Sequence, residues 1–157
     1  MMEDDIPDDD VSAQKVAASS RFLAEHLDEV PVHVLPCILG GIQENHELFA
    51  GLGHDTDLTN MAASATYGGI WPAAWSFMLA LRSRGLGSSL TMIHLGAEPE
   101  VARLLDIPTG ISQAGLIPVA YFRGEDFRPA PRHPLNEVAF HDGWGQPLTR
   151  PAAATTA

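Results

Sequence analysis

Apolar residues recur along this chain at helical spacing in its first and middle parts and in short unbroken runs between them. Val16, Ser20, Leu23 and Leu27 fall on one helical stripe, widened by Phe22, and predict a helix running to about residue 27. Asp10 and Ser12 are both candidate caps for its start. Pro31 marks its end, because the residue before a proline is driven out of the helical region. Residues 32–35 are an apolar run between Pro31 and Pro36 and predict a buried strand. Residues 40–60 contain Gly40, Gly41, Gly51 and Gly53 among scattered charges. They predict a mobile excursion with only a weak helical patch at 44–49.

The strongest signal is a helix over 70–84. Pro72 suits its first turn, where a missing N–H is tolerated, and Gly85 suits the left-handed residue that closes it. Trp71, Ala73, Ala74, Trp75, Phe77, Met78, Leu79, Ala80 and Leu81 make it apolar nearly all round, so it must be buried on most sides. In a small domain that implies a second subunit covering part of it. A strand over 88–95, a short helix over 98–105 and a second strand over 116–122 follow, with Pro118 in a ladder position that needs no donor. Residues 128–134 read as proline-rich and extended. The pattern as a whole is α+β with few strands.

Composition narrows the possible functions. The 157 residues suit one domain, with 45% apolar residues, so a packed core is expected. The expected division is an acidic disordered leader at 1–10, a domain at 11–144 and a disordered tail at 145–157. Net charge is −11, and six of the first ten residues are acidic. That field has the wrong sign for nonspecific nucleic-acid or anionic-membrane binding, so neither partner is expected. The longest apolar stretch, 67–81, falls short of the roughly 20 residues that a membrane span needs. A single cysteine, Cys37, leaves no internal disulfide and fits a reducing, cytoplasmic compartment.

Candidate chemistry is sparse. The seven histidines make no tight metal-ligand motif, although His46 and His54 share a segment with Glu44, Glu47, Asp55 and Asp57. No metal site is expected. His33, between Val32 and Val34, reads as a structural histidine, and His94 is isolated. No nucleophile elbow is present, and Cys37 reads as a small buried side chain. The glycine-rich 85–89 segment follows a helix and precedes a strand, the reverse of a phosphate-cradling loop. Arg132, in the run Arg-Pro-Ala-Pro-Arg-His-Pro over 128–134, presents a fixed fork of donors suited to phosphate. Trp71 and Trp75, four apart, are placed either to stack on a planar cofactor or to pair in the core.

The order of these pieces carries a resemblance. The buried helix runs into Arg82-Ser83-Arg84-Gly85-Leu86-Gly87-Ser88-Ser89, then Leu104-Leu105-Asp106-Ile107-Pro108, then Gly115-Leu116-Ile117-Pro118-Val119-Ala120-Tyr121. Pro131-Arg132-His133-Pro134-Leu135-Asn136-Glu137-Val138 and Gly143-Trp144 close the series. Over residues 20–144, outside the 40–60 segment, this resembles the C-terminal part of the FMN-dependent nitroreductase family. It is similar to a mycobacterial-type branch whose central helix reads Pro-Ala-x-Trp-Ser, as Pro72 to Ser76 do here.

The resemblance implies an α+β nitroreductase-like fold that dimerises through long helices, with FMN at the subunit interface. It implies an oxidoreductase in which NAD(P)H reduces the flavin and the flavin reduces a nitroaromatic, quinone or similar small-molecule acceptor. By the same resemblance Arg132 binds the FMN phosphate. Leu90, Thr91 and Met92 line the flavin largely through backbone atoms, and Trp71 and Pro72 lie where the central helix approaches it. No catalytic acid or base is implied. The family's arginine-rich Arg-Ser-x-Arg segment and its Pro-Ser/Thr-Gly-Asn-type turn have no counterpart here, so the expectation is an N-terminally truncated relative. Two rival readings stand beside it. One is a non-catalytic remnant acting as an interaction partner or fragment without flavin, and the other is a metal-dependent hydrolase using His46 and His54.

Overall fold

A computed structural model describes residues 11–53, 57–124 and 132–148. The expected leader, most of the expected tail and most of the proline-rich 128–134 segment lie outside these residues. The chain divides into two compact units, 1–122 and 123–157. The described residues form an α+β fold, as the pattern predicts. Among them, no helix is long and apolar enough to cross a membrane.

The first unit opens with helix α1 (Val11–Glu25) and a 3-10 turn at Leu27–Glu29, just before the proline expected to stop the helix. Strands β1 (Val32–Val34) and β2 (Cys37–Leu39) follow, so Cys37 begins a strand. Residues 40–60 depart from expectation. They supply helix α2 (Ile42–Gly51) and the start of helix α3 (Thr59–Gly68). These helices are held by contacts that periodicity does not display. Ala62 is fully buried, Asn45 Nδ2 donates to Thr66 Oγ1 at 2.9 Å, and Thr66 Oγ1 donates to the Ala62 carbonyl at 2.7 Å.

Helix α4 (Ile70–Arg82) continues α3 after a single-residue break at Gly69, which keeps helical dihedrals (φ −78°, ψ −32°). Pro72 explains the break. It has no N–H to return to the Gly68 carbonyl four residues earlier, and its ring crowds that carbonyl. At the other end Gly85 takes the predicted left-handed conformation (φ +76°), and its N–H bonds the Arg82 carbonyl at 3.1 Å.

Strand β3 (Leu86–Ser88) comes next, two residues before the predicted strand over 88–95 begins; of that predicted stretch only Ser88 is strand, and its last three residues fall in a 3-10 turn at Ile93–Ala97. Helix α5 (Glu98–Leu104) and strands β4 (Ile111–Gln113) and β5 (Ile117–Tyr121) complete the unit. β5 is the centre of an antiparallel sheet in the order β1-β5-β3, and β2 pairs antiparallel with β4.

Both strand pairs join the same two stretches of chain, but their register differs by one residue. Leu35 and Pro36 on one side therefore face Ala114, Gly115 and Leu116 on the other, which is a bulge. Pro36 has no N–H to continue the ladder, and its carbonyl accepts the Ala114 N–H at 2.8 Å.

A second proline interrupts the other side of β5. Thr91 and Leu116 exchange both backbone hydrogen bonds, at 2.9 and 2.8 Å, in the register that β3 and β5 share. Such pairs recur every second residue, so Ser89 and Pro118 are the next. Pro118 cannot donate to Ser89. The ladder stops at Ser88 and resumes at Thr91, so Pro118 lies where no ladder bond is made.

The core lies between α4 and one face of the sheet. Ala74, Ile117 and Val119 are buried there, with Val34, Trp71, Met78, Leu81 and Leu86 packed around them. Trp71, Ala74, Met78 and Leu81 form the stripe of α4 that meets the sheet, while Trp75 and Leu79 stay 61% and 52% exposed.

In the second unit, helix α6 (Leu135–Val138) leads into a turn closed by an isolated bridge between Phe140 and Pro147. Phe140 and Trp144 pack at a tilt, with ring centroids 4.9 Å apart and planes 41° from parallel, and Asp142 and Gly145 take positive φ within the turn.

Candidate flavin surface and the polar cluster behind it

Three of the six nominated cofactor residues meet at one point. A Cβ placed on Gly115 would lie 3.1 Å from Leu90 Cδ1, 3.4 Å from the Thr91 carbonyl oxygen and 3.5 Å from Trp71 Cη2. Only glycine lets these three close on the bulge without displacement. Trp71 is held from the other side by Tyr67, one helical turn earlier, with centroids 6.1 Å apart and planes 17° from parallel.

Pro72 and Met92 are exposed on either side of this point, and Leu90 is partly open to solvent. Arg132 is exposed and belongs to the second unit. Gly115 was not among the nominated residues. The available signal was a lone glycine at the start of an apolar run, which marks a bulge or a close backbone approach.

The backbone around this point is unevenly committed. Both the N–H and the carbonyl of Thr91 are engaged by Leu116, and its Oγ1 accepts the Ile93 N–H at 3.2 Å. The Thr91 N–H is therefore used up, and only the second lone pair of its carbonyl remains for a ligand. The alternation turns the N–H and carbonyl of Leu90 away from β5, toward the open edge of the sheet. The residues that fit the ring system of a flavin are thus the Trp71 and Leu90 side chains and the Leu90 backbone. Of the arginine donors a phosphate requires, Arg132 is the one that sequence reasoning identifies.

Next to these residues in the chain lies a polar cluster built around the buried Gln113, with His94, Glu98 and Cys37 half-buried about it. Gln113, 2% exposed, donates its backbone N–H to Glu98 Oε1 and its Nε2 to the Glu98 carbonyl, both at 3.0 Å. Gln113 Oε1 and both ring nitrogens of His94 are shielded from solvent without a hydrogen-bond partner. Burial pushes the His94 pKa below its ordinary value, against the opposing pull of Glu98 and Gln113. Cys37, opposite Gln113 in register, has its thiol pushed up by burial and then by the negative charge of Glu98. Sequence spacing gave no sign of this cluster, whose members come from β2, β4, α5 and the 3-10 turn.

His46 sits half-buried on α2, and His54 lies outside the described residues. Among the described residues, no group of three or more His, Cys, Asp or Glu side chains is arranged to hold a metal. A shallow groove of about 200 Å³ occupies the opposite face of the sheet, floored by Gly87, Pro118 and Ala120. None of the nominated residues lines it. In comparisons with known proteins, no family model and no curated protein matches this chain.

Proposed function

We propose that this chain is a flavin-binding oxidoreductase of nitroreductase type that works as a homodimer. The observation that carries this reading is the meeting of Trp71, Leu90 and Thr91 at Gly115. Sequence resemblance nominated these residues from segments about 20 positions apart, and they form one partly open surface. Bound there, FMN would supply hydride acceptance from NAD(P)H and delivery to a nitroaromatic, quinone or similar acceptor. The protein's part is to hold the ring against Trp71 and Leu90, to present the Leu90 backbone to its edge and to keep water away. By the resemblance alone, Arg132 is the residue that would take the phosphate.

The exposed apolar side of α4 supports self-association, because contiguous apolar surface of this kind marks an interaction face. The engagement of the Thr91 N–H by Leu116 favours the second reading, an interaction module that carries no flavin. An absorption spectrum after FMN is added and excess removed separates the two. Retained flavin bands, with NAD(P)H oxidation by the same sample, support the oxidoreductase. A colourless protein that still dimerises supports the interaction module. In the flavin-binding case, Arg132→Ala should weaken FMN affinity by about tenfold or more, the scale of one charge-assisted contact to phosphate. Fluorescence titration of FMN measures this directly, and an unchanged affinity removes Arg132 from the site.

A further inference from the structure

The polar cluster leaves an imbalance at His94. A neutral imidazole carries one N–H and one lone pair. The groups that act on it are the Gln113 carbonyl oxygen from β4 and the Glu98 carboxylate from α5, both acceptors. Glu98 is the charged neighbour. The Cys37 thiol of β2, beside Glu98, is held in its neutral form and brings no second charge. A proton on His94 would find acceptors nearby, but it would place a charge where both ring nitrogens are cut off from water. Burial is the larger of these opposing effects.

The position of His94 links this imbalance to the candidate surface. It lies in the 3-10 turn Ile93–Ala97, two residues after Met92. The Ile93 N–H is tied to Thr91 Oγ1, and the Leu95 N–H bonds the Met92 carbonyl at 3.0 Å. The paired Thr91–Leu116 bonds then hold the same stretch to the bulge. A turn that lifts to bring the His94 ring to water must pull on this bridge.

We propose that His94 is a proton-triggered release for the 90–92 segment, loosening the Thr91–Leu116 bridge when the ring takes up a proton. The release rests on the cluster alone; its consequence for cofactor binding rests on the flavin reading above. The sign follows from linkage. The buried ring accepts a proton less readily than a solvated one, whose ordinary value is 6.5. As pH falls through that value, the opened form protonates first and gains weight over the closed form. The gain ends once pH drops below the closed form's own pKa.

Hydrogen exchange on the full chain tests this, with the amides of Thr91 and Leu116 followed from about pH 7.5 to about pH 5.5 and corrected for intrinsic exchange. Protection of both amides should fall by up to about tenfold per pH unit below the ordinary histidine value. In His94→Gln it should stay flat. Constant or rising protection in the wild type, or an equal fall in the variant, overturns the proposal. Direct NMR titration of the His94 ring in the wild-type chain serves should the variant fold poorly, and a pKa at or above the ordinary value also overturns it. A parallel FMN titration separates this proposal from the flavin reading. Binding that weakens with the loss of protection joins the release to the site. Acid-dependent protection in a chain that never binds FMN supports the release and removes the flavin.

Discussion

A side chain at position 115 would have to share space with Leu90, the Thr91 carbonyl and Trp71, none farther than 3.5 Å from where its Cβ would stand. Leu90 is partly exposed and can give way to a methyl group, but a branched side chain also meets the backbone and the indole. Gly115→Val should therefore destabilise the fold by about 1–3 kcal/mol, the usual range for overpacking. Urea unfolding monitored by tryptophan fluorescence measures it. Cys37 offers a second test at this scale. Its thiol is protonated under the combined effect of burial and Glu98, so alkylation at mildly alkaline pH should be slow in the native chain. Glu98→Gln removes the charge while keeping an oxygen to accept the Gln113 N–H, and should speed labelling by a fewfold, read by mass spectrometry. Residue types alone disclosed little of this. Cys37 read as a small buried side chain and His94 as isolated, because their partners arrive from other strands and helices.

Elements show more clearly what a sequence pattern conveys. Helix α4 is legible because all its cues agree: a continuous apolar stretch, Pro72 in the first turn and Gly85 after the last. α2 and α3 are not, since their pairing depends on the small Ala62 and the Asn45–Thr66 hydrogen bond, which leave no periodic trace. The stretch over 88–95 shows the opposite error. Its residues suit a strand, yet only Ser88 and Thr91 pair with β5, and Pro118 offers no donor between them. Pro118→Ala restores that donor opposite Ser89. A new ladder bond contributes about 0.5–1.5 kcal/mol, while loss of the proline's restraint on the unfolded chain costs about 0.4–1 kcal/mol. Net stability should thus change by no more than about 1 kcal/mol, whereas exchange should reveal a newly protected amide at position 118. Of the candidate site, the sequence pointed to Trp71, Leu90 and Thr91 separately; the bulge that brings them together depends on a register shift between two strand pairs.

At the scale of the whole molecule, the proposed self-association rests on the balance of apolar surface on α4. One side of α4 builds the core with Ile117 and Val119, and the other leaves Trp75 and Leu79 open. Leu79→Glu should convert a self-associated chain to monomers in sedimentation velocity while leaving thermal unfolding of the monomer nearly unchanged, since this residue is already half in solvent. An unchanged sedimentation profile would move the association face away from α4.

The sheet's central strand has a consequence for how the protein is made. β5 is the last strand of its unit in chain order, yet it supplies the partner for both β1 and β3, with Val32 opposite Val119 and Leu86 opposite Tyr121. During synthesis, β1 and β3 leave the ribosome with no neighbour to pair with, and they wait until residues 117–121 emerge. Helices α2 to α4 can form from local contacts in the meantime, but the α4 stripe meant for Ile117 and Val119 stays uncovered over that interval. The folding of this unit is thereby held back to the end of its translation, when one five-residue strand closes the sheet and covers the helix together.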